Sequence, residues 1–175
     1  MTKPAPAILW LFGLPSAGKT TLAGALSEAL GRQGCRVCLL DGDELRKGLC
    51  KDLGFSDEDR AENLRRAARL ALSHAELGET VICAFVTPKE KHRAVVRDIL
   101  GGRLRFIHVD CPMEICVQRD VKGLYAKAHR GEMQGMTGTQ DPFEPPDDAT
   151  LRVPTGELPL QACVQRVLDA CGLTP

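Results

Sequence analysis

Residues 7–20 read AILWLFGLPSAGKT, and they carry the strongest fold signal of the chain. The apolar residues 7–12 form a continuous run, which is typical of a strand buried on both faces of a parallel sheet. Residues 13–20 match the pattern GxxxxGK[ST] at every fixed position, and helical periodicity follows from Thr20 to Leu30. A strand, a glycine-rich turn and a helix in this order predict a loop that binds the phosphates of a nucleoside triphosphate.

Each part of this loop has a physical role in the prediction. Glycines let the backbone fold tightly, so that successive N–H groups and the positive end of the helix dipole face the phosphate oxygens. Lys19 would reach the β- and γ-phosphates, and the Thr20 hydroxyl would bind Mg²⁺. The predicted nucleotide contacts in the loop are Gly13, Ser16, Ala17, Gly18, Lys19, Thr20 and Thr21.

Apolar runs and helical patterns alternate along the rest of the chain. Further strands are predicted at 37–40, 80–85, 104–109 and 151–153. Helices are predicted at 20–30, 44–50, about 57–77, from Thr87 and Pro88 to about 100, after Pro112, and at 159–171. Such alternation predicts an α/β fold with a central parallel sheet and helices on both faces. We expect one three-layer α/β/α domain over 1–175, with a lid segment at about 119–148.

Composition excludes several classes of protein. Lys and Arg together number 23 of the 175 residues and Asp and Glu also number 23, so the formal net charge is zero. A nucleic-acid-binding domain normally carries a basic excess, and no apolar run approaches the ~20 residues that span a bilayer. We therefore expect neither nucleic acid nor membrane as a partner, and a cytoplasmic location.

The chain has eight cysteines, and several lie inside predicted strands. Buried reduced cysteine behaves as a small hydrophobic residue, so core thiols are the favoured interpretation. Cys35 and Cys38 have the CxxC spacing of a metal site, but Cys38 lies on a strand and no second pair follows.

The phosphate loop alone does not identify the reaction. GTPases need a guanine-reading NKxD segment, and the only asparagine of this chain is Asn63, in Glu-Asn-Leu. Large motor ATPases need a longer chain. A small kinase that phosphorylates a small molecule remains.

Candidate acceptor residues follow the second predicted strand. Asp43 would accept a proton from an attacking hydroxyl or help to hold Mg²⁺, or it would simply cap the next helix. Arg46 and Arg60 lie near loops, where a guanidinium can grip an anion. Phe55 would stack on a base or pack as a hydrophobic staple for the following helix. Three more arginines are typical of a solvated helix face: Arg65, Arg66 and Arg69.

Two segments resemble a known family. Residues 41–66, DGDELRKGLCKDLGFSDEDRAENLRR, resemble the substrate segment of the adenylylsulfate kinases, and residues 111–146, CPMEICVQRDVKGLYAKAHRGEMQGMTGTQDPFEPP, resemble their lid. With the phosphate loop, the resemblance covers nearly the whole chain. It implies the fold of the P-loop NTPases and ATP and Mg²⁺ as cofactors. It also implies transfer of the γ-phosphate of ATP to the 3′-hydroxyl of adenosine 5′-phosphosulfate (APS), giving PAPS and ADP.

The resemblance also implies roles for individual residues. Asp43 would be the carboxylate beside the attacking hydroxyl, and Lys19 and Lys122 would supply positive charge. Phe55 would stack on the acceptor adenine, and Arg119 would lie near the adenine of ATP or organise its phosphates. The other residues implied to line the acceptor site, to hold its phosphosulfate and ribose, or to close over it from the lid are Arg46, Arg60, Asn63, Val86, Thr87, Gly123, Leu124 and Met136.

The chain departs from the family pattern at several positions. Thr87 replaces a frequent Ser, Met136 replaces a usual Phe, Gln140 of TGTQ replaces an Asp, and the loop reads LPSAGKT. These changes keep the phosphate machinery and loosen recognition of the base. They leave open a related kinase with another nucleotide-linked acceptor and, as a third reading, a weakly active nucleotide-binding module that regulates a partner. The resemblance further implies a homodimer and functional coupling to ATP sulfurylase.

Overall fold

A sheet of five parallel strands organises the molecule, and the computed structural model describes residues 6–147 and 150–174. The strands pair in the order β2-β3-β1-β4-β5, so the first strand of the chain lies at the centre. Their bounds are β1 Ile8–Phe12, β2 Val37–Asp41, β3 Thr80–Ala84, β4 Leu104–Asp110 and β5 Leu151–Pro154. The predicted P-loop α/β fold with a central parallel sheet is confirmed.

Seven α-helices accompany the strands in the described residues. Their bounds are α1 Lys19–Arg32, α2 Gly42–Lys47, α3 Asp57–Glu76, α4 Glu90–Leu100, α5 Met113–Arg119, α6 Leu124–His129 and α7 Leu160–Ala170. A 3₁₀ turn at Gly101–Arg103 joins α4 to β4. None of these helices combines the length and hydrophobicity needed to cross a membrane. The predicted lid ends on Asp148, which lies outside the described residues, as do 1–5 and 175 of the predicted domain.

The core has two layers because side chains of a strand alternate between the two faces of a sheet. On β1, Leu9 and Leu11 face one way and pack with apolar residues of α1 and α7. Trp10 and Phe12 face the other way and pack with apolar residues of α3 and α4. All four side chains are fully buried, and the result is a three-layer α/β/α arrangement.

All strands run in the same direction, so their carboxyl ends meet at one edge of the sheet. The segments after β1, β2, β3 and β5 gather there, and ligands of open α/β sheets bind at this edge. This is where the sequence analysis places the candidate site.

The start of α4 differs from the prediction. The sequence predicts that this helix starts at Thr87 and Pro88, a pattern typical of a cap residue and a first helical proline, but α4 begins at Glu90 with Lys89 at the cap. Thr87 is buried and has a φ of 44°, and its hydroxyl accepts a hydrogen bond of 2.9 Å from Trp10 Nε1. The tertiary bond to Trp10 therefore replaces the local capping bond.

The cysteines agree with the core-thiol prediction. All eight are free, and six of them are buried. Cys35 packs into the layer formed with α1, whereas Cys38 packs on the opposite layer. The CxxC pair therefore lies across the sheet and does not form a joint metal site.

Candidate active site

The phosphate-binding loop connects β1 to α1, as the sequence predicts. Gly13 has no room for a side chain, because a Cβ there would lie 2.4 Å from the carbonyl oxygen of Val109. Ser16 and Gly18 have positive φ values of 62° and 99°. Left-handed residues of this kind turn successive N–H groups toward one concave surface, which suits a polyphosphate.

Lys19 folds back over this loop. Its Nζ donates hydrogen bonds to the carbonyl oxygens of Gly13 at 3.0 Å and Leu14 at 2.7 Å. Burial lowers the pKa of Lys19 to about 8, and the nearby Lys122 acts in the same direction. A bound polyphosphate would supply the anion that this ammonium lacks.

This lowered pKa predicts how nucleotide affinity changes with pH. Phosphates raise the pKa of Lys19 in the complex, so binding is strongest well below pH 8 and weakens as the pH rises through the pKa of Lys19 in the free protein. We expect the affinity for MgATP to fall ~8-fold between pH 7.5 and pH 9, measured by isothermal titration calorimetry. Lys19→Arg keeps its charge throughout, so its affinity should change little. An equal fall in both proteins would contradict this role.

Two hard oxygen donors lie beside Lys19. The Thr20 hydroxyl donates a hydrogen bond of 2.8 Å to Asp41 Oδ2, and the other oxygen of Asp41 accepts from the N–H of Asp43 at 2.9 Å. Asp41 therefore caps α2, the alternative role considered for Asp43. Hydroxyl and carboxylate oxygens are the ligands that Mg²⁺ prefers, so Thr20 and Asp41 fit a Mg²⁺–nucleotide complex.

Residues far along the chain support the phosphate-binding loop from behind. The Thr155 hydroxyl donates a hydrogen bond of 2.6 Å to Ala17 O, and the Tyr125 hydroxyl donates one of 2.9 Å to Pro15 O. Arg119 donates to Thr155 O at 2.8 Å and lies beside Gly18. These contacts fix the loop in shape and hold Arg119 near the nucleotide site.

A cationic pocket surrounds Phe55 on the acceptor side. The guanidinium of Arg46 lies 4.3 Å from the Phe55 ring centroid and that of Arg60 lies 5.6 Å from it. Phe55 is 53% exposed, so it does not pack as a hydrophobic staple. An exposed ring flanked by two arginines suits a flat, anionic ligand.

Asn63 lies in the wall next to this pocket. It is buried, and its Oδ1 has no hydrogen-bond partner in the described structure. Buried polar atoms are nearly always satisfied, so this oxygen points to a ligand donor.

Arg66 has a structural role instead. It binds both oxygens of Asp52, at 2.7 and 2.9 Å, and donates to Leu49 O, which fastens the segment between α2 and α3. Arg65 pairs with Glu62 on α3.

The lid closes over the site through several contacts. Lys122, just before α6, forms an ion pair with Asp43. Arg60 donates to Gly135 O at 2.6 Å, and Lys89 pairs with Asp141 at 2.8 Å. The family pattern has an Asp where this chain has Gln140. Asp141, the next residue, supplies the carboxylate that pairs with Lys89.

One cavity of about 550 Å³ joins the phosphate-binding loop to the pocket around Phe55. Sequence-predicted residues that line it are Ser16, Gly18, Lys19, Thr20, Thr21, Asp43, Arg46, Phe55, Arg60, Asn63, Val86, Thr87, Arg119, Lys122, Leu124 and Met136. Three predicted residues do not line it. Gly13 and Ala17 belong to the loop itself but are buried, and Gly123 caps α6 with a φ of 65°.

No specific role was predicted for Asp41, Tyr125 or Thr155. Asp41 ends β2, where the rule that ligands bind at the carboxyl ends of strands already points, and Thr155 directly follows β5, so the same rule could have found it. Tyr125 lies on α6 within the lid and carries no such signal.

Known proteins match both the sequence and the fold. A family model described as adenylylsulphate kinase matches residues 5–154. The adenylyl-sulfate kinase of Paraburkholderia xenovorans is 46% identical over 162 residues, which cover 93% of this chain and 90% of that protein. The enzyme of the same name from Shewanella amazonensis is 48% identical over 164 residues, or 93% of this chain and 83% of that protein.

A solved structure agrees with these relatives. The Mycobacterium tuberculosis APS kinase in complex with AMPPNP and APS superposes with a TM-score of 0.91 at 37% identity, covering 95% of this chain and 97% of that one. The segments that carry the resemblance thus lie within a shared fold, and the chain belongs to the adenylylsulphate kinase family.

Proposed function

We propose that the chain transfers the γ-phosphoryl group of ATP to the 3′-hydroxyl of APS, giving PAPS and ADP. The observation that carries this proposal is the single cavity that joins the phosphate-binding loop to the cationic pocket around Phe55. A donor and an acceptor nucleotide can meet there without leaving the protein. The M. tuberculosis relative, solved with AMPPNP and APS together, supports this assignment.

The phosphate-binding loop holds the donor nucleotide in this proposal. Lys19 neutralises the β- and γ-phosphates, while Thr20 and Asp41 hold Mg²⁺. When bound, Mg²⁺ neutralises developing charge on the phosphates. Arg119, held against Thr155, lies beside the loop and contributes to nucleotide binding.

The pocket around Phe55 holds the acceptor. Arg46, Arg60 and Asn63 bind the phosphosulfate and ribose, and the adenine stacks on Phe55. Met136, which is buried in the cavity wall, contributes an apolar contact to the base.

Side chains at the end of β3 and in the lid complete the acceptor site. Val86 and Thr87 line its wall, while Lys122, Gly123 and Leu124 close over it. The buried Thr87 hydroxyl accepts a hydrogen bond from Trp10, which suits a residue that shapes the wall of the acceptor site.

Asp43 lies where the two nucleotides meet. A ribose hydroxyl is a weak nucleophile, so the reaction needs alignment, charge neutralisation and a carboxylate that accepts the hydroxyl proton. Lys122 pairs with Asp43 before substrate binds and, with Lys19, stabilises negative charge during transfer. The acceptor oxygen then attacks the γ-phosphorus in line, and the bond to the β-phosphate oxygen breaks.

ADP release from MgATP tests the reaction. We expect fast turnover with APS at low concentration and slow turnover with AMP, adenosine or guanosine 5′-phosphosulfate. A faster rate with another nucleotide would instead support the related kinase with a changed acceptor. Bound ATP without turnover on any acceptor would support the regulatory module.

The lid methionine leads to a prediction on acceptor affinity. Met136→Phe should lower the KM for APS by about 2- to 10-fold, because an aromatic ring stacks on adenine more strongly than a thioether does. The matched control is Met136→Leu, which changes the same side chain at similar volume without adding a ring and should leave this KM within about twofold. An unchanged KM in both variants would remove Met136 from the base contact.

Other properties of the proposal follow from family membership. We propose Mg²⁺ as the required metal, a homodimer, a cytoplasmic location and functional coupling to ATP sulfurylase. Gel filtration with light scattering tests the dimer, and ADP release with and without chelator tests the metal.

A further inference from the structure

A second group of chemically reactive side chains lies away from the active-site cavity. Cys38 of β2, His74 of the last turn of α3 and Glu79 just before β3 place one potential ligand atom each within 4.8 Å of one another. None of the three lines the catalytic cavity. Eleven residues of helix separate His74 from Asn63, which is roughly 16 Å along α3.

The backbone builds this cluster in two steps. The N–H of Glu79 bonds to His74 O and the N–H of Gly78 bonds to Ala75 O, the pattern of a Schellman turn. Gly78 supplies the required left-handed conformation, with a φ of 81°. This turn brings the side chain of Glu79 back to His74, at 2.6 Å between Oε2 and Nδ1.

Strand register adds the cysteine. Cys38 pairs with Val81 across the β2–β3 ladder, and residues two apart on a strand share one face of the sheet. Glu79 is two residues before Val81, so it and Cys38 lie on the same face. The cluster thus follows from a helix end and a strand register, both of which are fixed parts of the fold.

Access and charge at the cluster suit an ion. The side chains of His74 and Glu79 are 33% and 19% exposed, and Cys38 is partly buried. Arg36 pairs with Oε1 of Glu79 at 2.9 Å, so the ligand oxygen Oε2 stays oriented toward His74. Arg36 thus resembles the outer residues of metal sites, which hydrogen-bond to a ligating side chain and hold it in orientation.

We propose that Cys38, His74 and Glu79 form a binding site for a divalent transition-metal ion of the Zn²⁺ class, with water as the fourth ligand. Thiolate, imidazole and carboxylate together favour Zn²⁺ and exclude Mg²⁺, which avoids sulfur. On binding, the Cys38 thiol loses its proton to solvent and becomes the thiolate ligand, while His74 binds through an unprotonated ring nitrogen of the neutral imidazole. The ion would tie the edge strand β2 to the end of α3.

Ligand distances agree with this proposal after small side-chain movements. Ligand atoms of a tetrahedral zinc site lie roughly 3.3–3.8 Å apart, given bond lengths of about 2.0–2.3 Å. The separations here range from 2.6 Å for the hydrogen-bonded pair up to at most 4.8 Å. The alternative is that the cluster binds no ion. Arg36, Glu79 and His74 would then form an ordinary hydrogen-bonded network beside a core thiol.

Cobalt binding to the reduced, nucleotide-free protein separates these possibilities. One equivalent of Co²⁺ should give a thiolate-to-cobalt charge-transfer band. Zn²⁺ should displace the Co²⁺ and remove this band. Cys38→Ser should abolish the band and weaken Zn²⁺ binding by roughly 100-fold or more. Cys171→Ser is the matched control, since Cys171 is also a partly buried free thiol but lies after α7.

A second variant keeps the test decisive if Cys38→Ser folds poorly. Glu79→Gln retains the shape of the side chain, keeps Cys38 in place and should weaken Zn²⁺ binding by about 10-fold or more. Zn²⁺ should also raise the Tm of the wild type and of Cys171→Ser, but not that of Glu79→Gln. Absence of the charge-transfer band in the wild type, or equal Zn²⁺ binding in all four proteins, would overturn the proposal.

Discussion

Replacing Asp43 with asparagine should lower kcat by about 10³-fold while leaving the affinity for MgATP within a few-fold. Asparagine has the same shape but cannot accept the hydroxyl proton, and it loses the charge that pairs with Lys122. ATP affinity should survive because Lys19, Thr20 and Asp41 make the nucleotide site. Single-turnover rates and ATP calorimetry measure the two effects separately.

A neighbouring carboxylate provides the matched control for this variant. Glu44→Gln removes the same charge from the next residue of α2, where Glu44 is exposed and pairs only with Lys47 in the described structure. We expect near wild-type turnover from it. If Asp43→Asn turns over within a few-fold of the wild type, Asp43 does not accept the proton.

Replacing Lys19 with methionine should lower kcat/KM for ATP by about 10²–10³-fold or more, or roughly 3–4 kcal/mol of transition-state stabilisation. Methionine keeps the apolar stem but removes the ammonium that lies among the loop carbonyls. The effect should appear in both kcat and ATP affinity, in contrast with that of Asp43→Asn.

Lys51→Met serves as the control for Lys19→Met, because Lys51 is exposed in the segment before α3. It should leave both kinetic constants within about twofold. Lys19 also bonds to Gly13 O and Leu14 O, so the circular dichroism and Tm of Lys19→Met should be compared with those of the wild type. A well-folded Lys19→Met with unchanged kcat/KM would show that the lysine does not act on the phosphates.

Local sequence pattern predicted the elements of this fold but not the order of its strands. Apolar runs such as residues 7–12 identify buried parallel strands, and the alternation with helices identifies the class. The order β2-β3-β1-β4-β5 depends on the side of the growing sheet on which each new strand is added. No residue pattern specifies that side.

Helix boundaries show where tertiary contacts override local signals. Thr87 before Pro88 has the pattern of a helix start, yet its hydroxyl accepts a hydrogen bond from the indole N–H of Trp10. A sequence window cannot include this bond, because the two residues are 77 positions apart. Ser56, in contrast, caps α3 at the helix start that the sequence predicts, since its partner is the N–H of Asp59 only three residues away.

The residues of the candidate site also differ in whether a local pattern could predict them. Lys19 and Thr20 belong to a contiguous motif, so their place in the cavity could be predicted. Thr155 supports the same loop from the far end of the chain, and only the fold brings it there. Phe55, Arg46 and Arg60 were candidates from the local pattern, as a loop aromatic and two arginines near loops, but only the fold places both guanidinium groups beside the exposed ring.

The bond from Thr155 to Ala17 has a consequence for how the protein is made. It joins residues 138 positions apart, and the central strand β1 gains its two neighbours only when β3 and then β4 have been made. Contacts of such long sequence separation form late, because a large loop must close first. The phosphate-binding loop therefore leaves the ribosome early but becomes rigid only after β5 is in place. Nucleotide binding by a nascent chain would thus report that β5 and Thr155 have joined the sheet.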